Sequence, residues 1–289
     1  MNSVSGIWQR FPVLMRAVVT GLLVLFFGAG AWSGLFVGSR KLMASIPWAT
    51  GPVLLVFGGC FLWVYWRYLG GWGWPRRTME MRRRRLRARG LPGRVWAWAL
   101  SAGALAVIGN VALTLVWGRL IHLQPWALPS LSRYSFLTVL CLLLGTAVEA
   151  GVVEEAAFRG YMQEPIEKRY GPKVAIVIVS VVFGLVHIAN GYRELTWLLS
   201  DAVFGAILGT LAYLTNSILP GLVLHAAGDA ARYLVVWRLG PNRPKALIWE
   251  SGPDASFWVS LTVAATVGAA AVWAYRKLAA VVQIESRAS

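Results

Sequence analysis

The chain has 289 residues, 57% hydrophobic and 14% charged, with 16 Trp and a mean hydropathy of +0.60. Soluble globular chains contain roughly 45–50% apolar and about 25% charged residues, so this much apolar surface cannot close into one water-facing core and needs lipid around it. A soluble enzyme, a disordered tail and a disulfide-stapled secreted module are excluded. Cys60 and Cys141 both fall inside apolar runs, outside any CxxC or Cys/His cluster, and read as small packing residues.

A bilayer core about 30 Å thick takes roughly 20 apolar residues of helix. Eight segments meet or approach that length and predict an all-α polytopic membrane protein. They are Ala17–Gly38, Ile46–Trp66, Val95–Trp117, Tyr134–Val153, Val174–Ala189, Leu195–Leu214, Ile218–Val236 and Phe257–Tyr275. The first run is long enough to span and lacks a small-residue cleavage site, so it reads as a retained helix. Composition divides the chain into three parts. Residues 1–130 hold helices almost free of acids, 131–240 carry ionisable residues inside apolar runs, and 241–289 form a last loop and helix.

The formal charge is +16, from 28 Lys+Arg against 12 Asp+Glu. Nine arginines lie between Arg76 and Arg94, in RRTMEMRRRRLRARGLPGR. No aromatic residue interleaves with them to stack bases, which argues against nucleic acid. The run reads as a positive-inside signal with attraction for anionic headgroups. With the N-terminus inside, the inner segments hold 2, 10, 4, 0 and 3 Lys+Arg, together 19, and the outer ones 2, 2, 1 and 3, together 8. Both termini are therefore expected in the cytoplasm.

The fourth segment ends in EAGVVEEAAFRGYM, with Glu149, Glu154, Glu155 and Arg159. Charges inside a membrane segment cost about 2.5–3.5 kcal/mol each on insertion scales and need partners or water. Glu155 and Arg159 are four apart, a helical salt-bridge spacing. Glu154 points about 100° away from Glu155 and is left without a local counter-charge. Of three histidines, two sit in apolar helices: His187 one turn after Phe183, and His225 one turn before Asp229. Two histidines, an Asp and an unpaired Glu on three helices predict a polar site in a water-accessible cavity. Gly205 and Gly209 read as ordinary helix contacts, and Asp201 as structural.

The order EExxxR (Glu154, Glu155, Arg159), FxxxH (Phe183, His187) and HxxxD (His225, Asp229) resembles the CPBP family. These are the type II CAAX prenyl endopeptidases and the related bacterial abortive-infection and bacteriocin-processing proteins. The resemblance covers roughly residues 130–240 and implies intramembrane peptide-bond hydrolysis. By it, Glu154 is the general base for water, and His187 holds or polarises that water. His225 donates to the developing oxyanion, and Glu155 with Arg159 supports Glu154. Asp229 stands where well-studied members place an Asn. It either acts as a protonated donor or, ionised, orients the His225 ring.

A metal reading stands beside this one, with Glu154, His187 and His225 as a His2Glu zinc set. There is no HExxH, and Glu154 does not easily serve as both ligand and base, so the metal-free reading is preferred and no cofactor is expected. The glutamate and the histidines meet if the fourth helix continues past Glu154, which YMQEPIEKRYGPK allows as far as Pro165. With 23 Arg against 5 Lys the sequence suggests a GC-rich bacterial genome. A bacterial inner-membrane location and a membrane-associated protein or peptide substrate follow, and a prenylated substrate does not. The alternative function is a non-proteolytic transporter or immunity-type binding protein using the same cavity. A transporter would show inverted repeats or broken helices, and neither is evident.

Overall fold

The computed structural model describes residues 8–39, 45–121, 127–128, 130–132, 134–190, 195–241 and 245–288. Arg40, Lys41, Arg133, Arg193 and Arg243, counted above for orientation, lie outside them. Helices dominate, and the described residues contain no strand. In chain order they are α1 (Val13–Gly38), α2 (Pro47–Leu69), α3 (Met79–Leu86), α4 (Gly93–Leu120), α5 (Phe136–Glu154), α6 (Glu164–Tyr170), α7 (Pro172–Val186), α8 (Leu195–Thr215), α9 (Leu219–Leu239), α10 (Ile248–Ser251) and α11 (Ala255–Ala288). Glu155–Gln163, between α5 and α6, is π-helical.

Each of the eight expected segments is helical. Six of the resulting spans are long and apolar enough to cross a membrane: Val13–Gly38, Ala49–Leu69, Gly93–Leu120, Phe136–Tyr170, Leu195–Thr215 and Ala255–Arg287. The protein is therefore a multi-pass, all-α membrane protein. The other two expected segments depart for different reasons. Helix α7 has only 15 residues, too few for a 30 Å core. Helix α9 has 21 but carries His225, Asp229 and Arg232 along its length.

The chain falls into two compact units that alternate along the sequence. The first comprises residues 1–88, 128–175 and 225–238, and the second 89–127, 176–224 and 239–289. In the first, α1 packs on the π-helical stretch and α6, and α2 packs on α5. The Tyr65 hydroxyl of α2 donates to the Val24 carbonyl of α1 at 2.9 Å. Phe136 and Trp237 stack with ring centroids 5.4 Å apart, while His225 lies beside Glu155. The two contacts pair the start of one helix with the end of the other, so this part of α9 runs antiparallel to α5. In the second unit α11 lies along α4, and α8 packs on both over a core of Val95, Ala99, Leu208, Leu211 and Leu278. Asn110 and Thr114 of α4 bond Ser200 of α8. A Cβ on Gly205 would lie 3.0 Å from Ser180 Cα, so this glycine lets α8 approach α7 closely.

The helix bearing the paired glutamates runs on from α5 through the π stretch and α6 to Tyr170, 35 residues in all. At about 1.5 Å per residue it exceeds the roughly 30 Å core by more than half. Its last turns carry Glu164, Glu167, Lys168 and Arg169. The sequence reading placed the fourth segment at Tyr134–Val153 and allowed its continuation as far as Pro165. An uninterrupted α-helix would break there, because the ring clashes with the carbonyl four residues back. Here the π register precedes the proline and accommodates it.

Candidate active site

Glu155 and Arg159 are the deepest charges in the first unit, both without solvent exposure. Arg159 Nη1 donates to Glu155 Oε1 at 2.8 Å. Although the backbone is π-helical here, the spacing still brings the two side chains together. The same carboxylate oxygen accepts from His225 Nδ1 at 2.9 Å. One buried oxygen thus binds an arginine from its own helix and a histidine from α9. The sequence reading gave Glu155 only the arginine. Its second task, holding a histidine 70 positions away, has no signature in spacing.

With Nδ1 fixed on Glu155, the His225 ring presents Nε2 to the other two carboxylates. Glu154 Oε2 lies 3.7 Å away and Asp229 Oδ2 3.8 Å away. Both ring nitrogens face carboxylate oxygens, an arrangement satisfied when both carry hydrogen. Glu154 differs from its neighbour: its side chain keeps 19% of its surface where Glu155 keeps none. Its Oε2 has no hydrogen-bond partner among the described residues.

Asp229 is itself engaged. Its Oδ1 accepts from Arg232 Nη2 at 3.1 Å, and its Oδ2 from the Tyr233 hydroxyl at 3.4 Å. His225, Asp229 and Arg232 stand at i, i+4 and i+7, one stripe along α9. This geometry suits an ionised acceptor paired with a guanidinium. Glu149, given no role from sequence, is buried and lies within electrostatic reach of Glu154, His225 and Asp229. Its signal was a third acid in the same apolar run. Tyr65 lies within reach of it as well.

His187 belongs to the second unit. It opens the short turn His187–Asn190 after α7, and its ring centroid stands 4.7 Å from that of Phe183. Its Nδ1 lies 2.7 Å from the Phe183 carbonyl. A carbonyl only accepts, so Nδ1 carries a hydrogen. Among the described residues no three of His, Cys, Asp and Glu are gathered to hold a metal ion.

Residues 135–231 match the family model described as Rce1-like, Type II CAAX prenyl endopeptidase. That stretch, about a third of the chain, is similar to the CPBP family. The matched stretch opens at the N-cap of α5 and closes just past Asp229, so it takes in all three motifs. A search among curated proteins and one among solved structures each found no match.

Proposed function

We propose that this protein is an intramembrane endopeptidase in which Glu154 activates water against a peptide carbonyl. The observation that supports it is the His225 ring, anchored by Glu155 on one nitrogen and turned toward Glu154 with the other. Water held between Glu154 Oε2 and His225 Nε2 gives its proton to Glu154 as its oxygen bonds the scissile carbon. The carbonyl π pair moves onto oxygen, and His225 Nε2–H donates to that oxyanion. Protonated Glu154 then passes its hydrogen to the amide nitrogen as the C–N bond breaks, leaving a carboxylic acid and an amine. Arg159 neutralises Glu155, so the orienting carboxylate does not repel the charge growing nearby. His187 takes its water-holding role from the FxxxH motif alone.

The substrate proposed is a membrane-associated protein or peptide, cleaved at a cytoplasmic membrane face. The deciding experiment compares peptide termini in membrane fractions from cells carrying the wild type and Glu154→Gln. Substrate termini that vanish in the variant, with the variant present at normal levels, support the reading. Unchanged termini reject it.

A further inference from the structure

The arginine run after α2 divides into two groups with opposite fates. Arg82 is buried, and its Nη2 donates to the carbonyls of Gly71, Trp72 and Gly73 at 3.3, 3.2 and 3.1 Å. Its guanidinium also lies 4.2 Å from the centre of the Tyr68 ring. Arg87 is buried too, in a left-handed backbone conformation with φ 52°, and it binds Glu167 at 2.6 Å. These two cations are spent inside the protein. Arg76, Arg77, Arg83 and Arg84 face outward, with only Arg84 meeting an acid, Glu80, in an exposed pair.

Exposed Trp72 and Trp74, at 51% and 84%, stand beside them, and Met79 and Met81 of α3 are exposed as well. Indole rings next to outward arginines, within a few residues of the end of a spanning helix, match the chemistry of an anionic membrane surface. This loop is also bonded to the helix that carries the site. A Cβ on Gly160 would fall 2.9 Å from the Arg85 carbonyl oxygen, so α3 lies directly on the π-helical stretch. The Tyr161 hydroxyl donates to the Leu69 carbonyl at 2.9 Å, and Arg87 grips Glu167 in the last turns of that helix.

We propose that Arg76, Arg77, Arg83 and Arg84, flanked by Trp72 and Trp74, bind anionic phospholipid headgroups, and that this binding steadies the stretch 155–167 against which α3 is docked. The occupant is a lipid surface, because the aromatic and methionine side chains beside the arginines need the interface that a soluble anion lacks. The buried Arg82 and Arg87 carry the effect inward. The inference holds whatever reaction the site performs.

The test uses the full-length protein in nanodiscs of phosphatidylcholine alone and of phosphatidylcholine with phosphatidylglycerol. Wild type and Arg76/Arg77/Arg83/Arg84→Gln are compared by thermal unfolding and by amide hydrogen exchange over 155–167. The anionic lipid should raise the wild-type midpoint by several degrees and slow exchange in that stretch. In the glutamine variant both responses should fall by at least half, while an all-Lys version should keep them, since charge and not guanidinium geometry is what the surface reads. Equal responses in the two lipids, an unchanged response in the glutamine variant, no change over 155–167, or the same response to inorganic phosphate in neutral nanodiscs would overturn the proposal.

Discussion

One oxygen, Glu155 Oε1, lies 2.8 Å from Arg159 Nη1 and 2.9 Å from His225 Nδ1. The oxygen therefore joins two tasks that sequence spacing keeps apart, neutralising a buried cation and aiming a histidine. Replacing Glu155 by Leu removes both. Breaking a buried ion pair by deleting one partner costs about 3–5 kcal/mol, a large share of the stability of most domains. Glu155→Leu should unfold at markedly lower temperature and give little monodisperse protein on size exclusion. Glu155→Gln keeps the shape and one acceptor, so it should fold better than the Leu variant and lose activity through a misaimed ring.

Glu154 stands one residue away and obeys different rules. It is partly exposed, and its Oε2 lies 3.7 Å from the His225 ring. Glu154→Gln should leave the unfolding midpoint within a degree or two while proteolysis falls by about 10²–10⁴-fold, the worth of a general base. The check is a paired measurement of unfolding and of cleavage for this variant and for Glu155→Gln. A stability loss in Glu154→Gln as large as that of Glu155→Leu would contradict the division of labour.

The Arg232–Asp229 pair sets the expectation at the position where the family carries an amide. Asp229 accepts from Arg232 and Tyr233 and faces His225 Nε2. Asp229→Asn should therefore lower the cleavage rate about tenfold or more across the whole pH range, with the fold retained. A pH–rate profile checks it. A variant as fast as wild type, with a gain confined to high pH, would mean that Asp229 works as a protonated donor.

Chelation gives a fourth expectation. In the proposed reaction Glu154 and His225 act on water directly, so prolonged treatment with strong chelators should leave activity intact. Active protein should carry no stoichiometric zinc by elemental analysis. Activity lost to a chelator and restored by zinc alone would reassign the histidines as ligands.

Far from the site, Asp254 precedes α11. It accepts from the Ser256 hydroxyl and the Phe257 amide at 2.8 and 2.9 Å, with Arg119 Nη1 also 2.8 Å away. These contacts, the Ser256 hydroxyl foremost, hold its carboxyl well below the usual carboxylate range. A group lowered in the folded state stabilises fully above its unfolded value, about 3.9, and loses that contribution as pH falls through the folded value. The wild type should therefore lose stability on acidification through this range, and Asp254→Asn should lose less. Unfolding midpoints between neutral pH and strong acid test this.

What could be read in advance followed from local rules. Apolar length marked all eight helices, and the i, i+4 spacing put Glu155 against Arg159 and His225 near Asp229. Contacts set by tertiary packing left no such trace. Nothing in spacing shows that His225 bonds Glu155, or that Glu149 faces the same cluster. How far the helix runs past Glu154 stayed open, because a proline usually stops a helix and the π register that admits Pro165 is not visible in residue types. The arginine run was legible only as charge. That Arg82 gathers three carbonyls of the turn after α2, and that Arg87 reaches Glu167, depends on where α3 folds back.

The first unit is assembled from three separated stretches, 1–88, 128–175 and 225–238, and this has a consequence during synthesis. A nascent chain that has emerged through residue 175 already holds both glutamates and Arg159, yet it lacks the ring they are arranged to hold. His225 arrives only with the third stretch, after most of the second unit has been made. A chain interrupted early therefore holds the paired acids without the histidine that Glu155 binds.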